Sequence, residues 1–78
     1  MPTVLAVQGF RFFFYSNEGD EPRHIHVEKA ESFGKIWLEP TVEIAYMSNF
    51  SVREVRQIIN IVNSNLGLLI EKWDEHFG

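Results

Sequence analysis

Residues 20–28, Asp20-Glu21-Pro22-Arg23-His24-Ile25-His26-Val27-Glu28, alternate in a strict period of two. Ile25 and Val27 fall on one side, and His24, His26 and Glu28 on the other. That pattern marks a half-buried β-strand. Pro22 stands just ahead of it, where a strand begins without losing a ladder hydrogen bond. Two of the three histidines of the chain therefore share the face opposite the core, and any chemistry is expected there.

The neighbouring segments follow the same period. Thr3-Val4-Leu5-Ala6-Val7 reads as a first strand, and Gln8-Gly9 as a tight turn in which glycine takes a positive φ. Phe10–Tyr15 is a second strand, with Phe10, Phe12 and Phe14 inward and Arg11, Phe13 and Tyr15 outward. Ser16–Pro22 is polar turn chemistry. A short connection, residues 29–33, leads to a fourth strand over Gly34–Glu39, with Ile36 and Leu38 inward and Lys35, Trp37 and Glu39 outward. Beyond Pro40, Thr41–Tyr46 alternates again as a fifth strand.

The rest is helical. Ser51-Val52-Arg53-Glu54 is a capping box, with Phe50 placed to staple onto Val55. Val52, Val55, Ile58, Ile59, Val62, Leu66, Leu69, Ile70, Trp73 and Phe77 then step by three and four. Gly67 interrupts the stripe and, with Asn63-Ser64-Asn65, raises the alternative of two helices. The unbroken period favours one. A single helix over residues 51–76 would be roughly 39 Å long, against roughly 20 Å for a six-residue strand. One small sheet cannot cover it, so its far half must fold back or meet another chain; a homodimer or an obligate partner is expected. The fold class is α+β: one domain, residues 1–78, with an antiparallel sheet of four or five strands and a long C-terminal helix on one face.

Composition narrows the function. The formal net charge is −4 and the pI about 5.2, which argues against coating duplex DNA. Cysteine is absent, so no disulfide framework suggests secretion. No basic leader and no apolar run near ~20 residues is present. A cytoplasmic protein with no membrane span is expected.

The outward face would hold Arg11, Phe13, Tyr15, His24, His26, Glu28, Lys35, Trp37 and Glu39. In a hairpin of the third and fourth strands, His26 would lie opposite Trp37 and His24 opposite Glu39, or shifted by two. Three readings compete. One is metal binding by His24 and His26 with Glu39 or Glu43 as third ligand, as zinc sites require. The second is metal-free cleavage of RNA. His24 and His26 would divide the acid and base roles, Arg23 or Arg11 would hold the phosphate, and Trp37 or Tyr15 would stack a base. Strict alternation places Arg23 on the core side. The third reading is a protein-interaction surface through Phe13, Tyr15, Trp37, Lys35 and Glu39, with the histidines structural. No cofactor is called for. His76 complements the dipole of the last helical turn.

Taken together, Met1–Val4, Gly9–Gly19, Glu21-Pro22 with His24–Glu28, Trp37-Leu38-Glu39-Pro40, Phe50-Ser51 and Glu71-Lys72-Trp73 resemble the family of domain of unknown function 4160. The resemblance implies a short bacterial protein, often encoded beside a small partner of a second uncharacterised family, numbered 2442. That pairing is similar to type II toxin–antitoxin modules, and implies a toxin-like component with an antitoxin-like partner. It carries no catalytic residues over; His24 and His26 rest on the strand pattern alone. The expected function is therefore a toxin-like component, in one form a small ribonuclease using the strand histidines. The alternative is a non-catalytic interaction domain that dimerises or binds a small partner.

Overall fold

The computed structural model describes residues 3–78; Met1 and Pro2, which enter the resemblance above, lie outside the described residues. Five strands form one antiparallel sheet in sequence order: β1 (Thr3–Val7), β2 (Phe10–Phe13), β3 (His24–Lys29), β4 (Ser32–Trp37) and β5 (Glu43–Ser48). Two helices follow, α1 (Val52–Ser64) and α2 (Leu66–Phe77). The α+β class stands. Among the described residues no helix is long and apolar enough to cross a membrane.

Turn chemistry explains the tight connections. Val7 pairs with Phe10 across Gln8 and Gly9, whose φ of 55° and 85° suit a two-residue hairpin turn. Lys29 pairs with Ser32 across Ala30 and Glu31, with Ala30 at φ 53°. This second turn corrects the expected register. Reading residues 29–33 as the connection made the loop too long, whereas a two-residue turn sets His24 opposite Trp37 and His26 opposite Lys35. The slip is by two, so every side chain keeps its face. β4 thus starts at Ser32, not Gly34, and β5 covers Glu43–Ser48 instead of Thr41–Tyr46. β2 ends at Phe13, not Tyr15.

The capping box forms as read. Ser51 Oγ accepts from the Glu54 N–H, and the Glu54 carboxylate accepts from the Ser51 N–H. Phe50 lies against Phe10, ring centroids 6.0 Å apart. The single long helix does not form. Asn65, at φ −122° and ψ 19°, departs from helical geometry, and its side-chain amide donates to the Ile61 carbonyl. It ends α1 and starts α2. Gly67 sits inside α2, with open space where a Cβ would go.

The break solves the coverage problem. The inward set Phe10, Phe12, Phe14, Ile25, Val27, Ile36 and Leu38 meets Ile58, Ile61 and Val62 of α1 and Leu69 and Trp73 of α2 in one core. Trp73 is 5 % exposed, so the far half of the stripe is covered within the chain. Uncovered helix surface no longer asks for a second copy. Full burial of side chains this size contributes roughly 1.5–3 kcal/mol each, so the core rests heavily on its aromatic members.

Candidate functional site on the outward face of the sheet

The connection from β2 to β3, residues 14–23, is the one long excursion between the early strands, and it folds back over the outward face. Hydrogen bonds within it set its shape. Glu21 N–H donates to the Glu18 carbonyl at 3.1 Å, making a turn, and the Tyr15 N–H donates to Glu18 Oε1 at 3.2 Å. Gly19 packs on α2; a Cβ there would stand 2.8 Å from Phe77 Cδ1, so only glycine allows this approach.

The turn delivers the Glu18 carboxylate onto both histidines. His26 Nε2 lies 2.9 and 3.0 Å from its two oxygens, and His24 Nε2 lies 3.0 Å from Oε1. On its other side, His24 Nδ1–H donates to the Pro22 carbonyl at 2.8 Å. A carbonyl only accepts, so that contact fixes the Nδ1 proton. His24 Nε2 is buried and makes no hydrogen bond at all.

Aromatic rings close the site. His24 is edge-on to Trp37, Trp73 and His26, at centroid distances of 5.4, 4.9 and 5.2 Å. His26 stacks on Phe13 at 5.6 Å and meets Tyr15 edge-on at 4.6 Å. The outward imidazoles are consequently not solvent-facing: His24 is 0 % exposed and His26 6 %. Burial pushes the His26 imidazole below its ordinary value, and the Glu18 charge offsets this only in part. Burial alone would raise the Glu18 carboxyl, but the His26 and His24 imidazoles facing it outweigh this and hold it below the usual carboxylate range.

The remaining residues singled out from sequence go elsewhere. Arg23 turns away from the histidines: its guanidinium meets Glu39 at 3.0 Å and Asp74 of α2 at 2.7 Å, and its backbone N–H donates to Glu39 at 2.7 Å. Glu39 is therefore spoken for. The expected His24, His26, Glu39 metal set is corrected to Glu18, His24 and His26, whose ligand atoms all lie within 4.8 Å of one another. Arg11 bonds Glu28 and Thr3, at 2.7 Å each, and lies 4.4 Å over the Phe13 ring. Lys35 sits 4.4 Å over Trp37 and bridges to Glu21 at 2.8 Å, which depresses the Glu21 carboxyl. Phe13 is buried, and Tyr15 stays exposed at the rim.

Two participants escaped sequence reading. Glu18 lies in a stretch with turn composition, where nothing in its spacing to His24 marks it as a partner. Trp73 belongs to the helix stripe, and its meeting with His24 depends on the break at Asn65.

A second region of the same face is open. Phe33 and Tyr46 lie diagonally across β4 and β5 with ring centroids 6.2 Å apart, and they are 49 % and 44 % exposed. Ile44 pairs with buried Ile36, so it belongs to the helix side, yet it is 42 % exposed. Met47 of β5 packs against the core, whereas the helical layer leaves Ile44 uncovered.

No curated protein and no solved structure matches the chain. Residues 9–74 match the family described as Domain of unknown function (DUF4160), and the match takes in the β2–β3 excursion, both histidines, the β5 edge and Trp73. The chain belongs to the DUF4160 family.

Proposed function

We propose that this chain is the toxin-like half of a bacterial two-protein module, and that it works by contact with its partner, which docks along β5. The observation that carries the reading is the character of that edge. β5 ends the sheet, so one side of its backbone is free of any ladder within the described residues. Its sequence, Glu43-Ile44-Ala45-Tyr46-Met47-Ser48, holds no lysine or proline of the kind that guards natural edges. It exposes apolar side chains on both faces, Tyr46 with Phe33 on one and Ile44 on the other. Such an edge suits an added strand, whose main chain supplies affinity and whose side chains choose between the faces. Aromatic anchors are the residues that dominate interface energetics.

The ribonuclease form of the toxin reading gains less support. General acid–base catalysis needs imidazole nitrogens within hydrogen-bond reach of the ribose and leaving oxygens, whereas His24 lies wholly under the loop and both Nε2 atoms face Glu18.

The test is co-expression with the small protein implied to be encoded beside it, followed by affinity measurement on the purified pair. Tyr46→Glu and Phe33→Glu are expected to weaken the complex at least tenfold, as loss of an anchor costing about 2 kcal/mol would. Arg11→Ala, away from β5, is expected to leave it within about twofold. A complex indifferent to both β5-side changes contradicts the proposal. So does cleavage of labelled single-stranded RNA that disappears in a folded His24→Ala/His26→Ala variant.

A further inference from the structure

We infer that Glu18, His24 and His26 form a binding site for a divalent transition metal of the zinc class. The donor set is the first reason. Two imidazoles and one carboxylate are a common zinc ligand set, leaving a position for water, and imidazole suits zinc above the hard cations.

Spacing is the second. Ligands at about 2.0–2.1 Å in a tetrahedron lie about 3.3–3.4 Å apart. The Glu18 Oε1 separations from His26 Nε2 and His24 Nε2 are 2.9 and 3.0 Å, and the three ligand atoms all lie within 4.8 Å of one another, so side-chain rotation on the order of 1 Å would seat the ion.

The third reason is the state of His24. Its Nδ1–H donates to the Pro22 carbonyl, the arrangement that orients metal-ligating histidines and sets which nitrogen coordinates. The other nitrogen, Nε2, then carries a lone pair. It is buried, 3.0 Å from a carboxylate oxygen, and without a hydrogen bond. A proton on Nε2 would not resolve this, because the N–H direction misses the carboxylate even at that distance. A cation set between the two atoms satisfies both. Phe13, Tyr15, Trp37 and Trp73 surround the imidazoles as an apolar shell. Glu18 and His26 keep 14 % and 7 % of their side-chain surface open, which leaves a way in.

The experiment is calorimetric titration of Zn²⁺ into the chelator-stripped full chain, repeated on Glu18→Gln, Glu39→Gln and His76→Gln. One ion per chain is expected. Glu18→Gln should weaken binding at least tenfold, while Glu39→Gln and His76→Gln stay within about twofold. Zinc X-ray absorption on the loaded wild-type chain keeps the question decidable if Glu18→Gln fails to fold; two imidazoles and at least one oxygen are expected around the ion. No stoichiometric binding overturns the site. Binding unchanged in a folded Glu18→Gln, binding lost in His76→Gln, or fewer than two imidazoles in the absorption spectrum each overturns it as well.

Discussion

The outward face of the sheet carries two regions with opposite fates. Around β3 the face is roofed by residues 14–23, and its histidines are buried. Along β5 the face is bare, and Phe33 and Tyr46 stand in solvent. Period-two alternation states which side of a regular strand a residue takes, and not whether that side is covered; on β5 the register shift at Lys35/Ile36 breaks even the alternation, putting Ile44 and Tyr46 on opposite faces. A connection of ten residues covers the first region and leaves Phe33 and Tyr46 of the second exposed.

Breaking the closed region should cost the most. Trp73 touches Phe14, His24 and Phe77, so Trp73→Ala is expected to lose about 3–5 kcal/mol. That is a large share of the roughly 4–12 kcal/mol common for a chain of this length, and chemical denaturation should find a much lower midpoint. His24→Ala removes a buried ring and strands the Pro22 carbonyl, with an expected loss of about 2–4 kcal/mol. Phe33→Ala, the matching truncation in the open region, should change the unfolding free energy by less than about 0.5 kcal/mol. Equal losses at His24 and Phe33 would erase the distinction between the regions.

The roof can be tested apart from the sheet. Gly19→Leu places atoms where the Phe77 ring lies and should cost about 1–3 kcal/mol through overpacking. Its signature is local: faster hydrogen exchange over residues 14–26, with β5 unchanged. Faster exchange throughout the chain would mean that the roof and the sheet are one cooperative unit.

The smallest effect concerns acid. Arg23 holds the Glu39 carboxyl below its ordinary 4.5, first through its backbone N–H and then through the guanidinium. A depressed carboxyl contributes stability that is present above 4.5 and lost as pH falls through the lower folded value. Glu39→Gln should therefore flatten the acid limb of a stability–pH curve slightly and leave the neutral plateau almost level, since exposed pairs contribute little. A steeper acid limb in the variant would contradict the assignment of Glu39 to Arg23.

The legible parts of this fold were the local ones. Phe10, Phe12 and Phe14 inward, Arg11, Phe13 and Tyr15 outward, and the Ser51–Glu54 box all follow from spacings of two or three residues. The hairpin register was not legible, because Ala30 at positive φ is no turn signal. The helix break was hidden too, since Val62, Leu66, Leu69 and Trp73 keep their phase across Asn65. Of the site, both histidines were visible as a pair. Their third partner was not, because Glu18 reaches them only when the loop returns in space, and the more obvious Glu39 is drawn off by Arg23.

The central claim is that one half of this face is closed and the other half is the proposed docking edge. Hydrogen exchange of the chain, alone and with the proposed small partner protein, tests it most directly. The account predicts new protection over residues 43–48 on binding, with the 24–29 segment already slow in the free chain and unchanged. Protection gained over residues 14–29, with β5 unaffected, would contradict it.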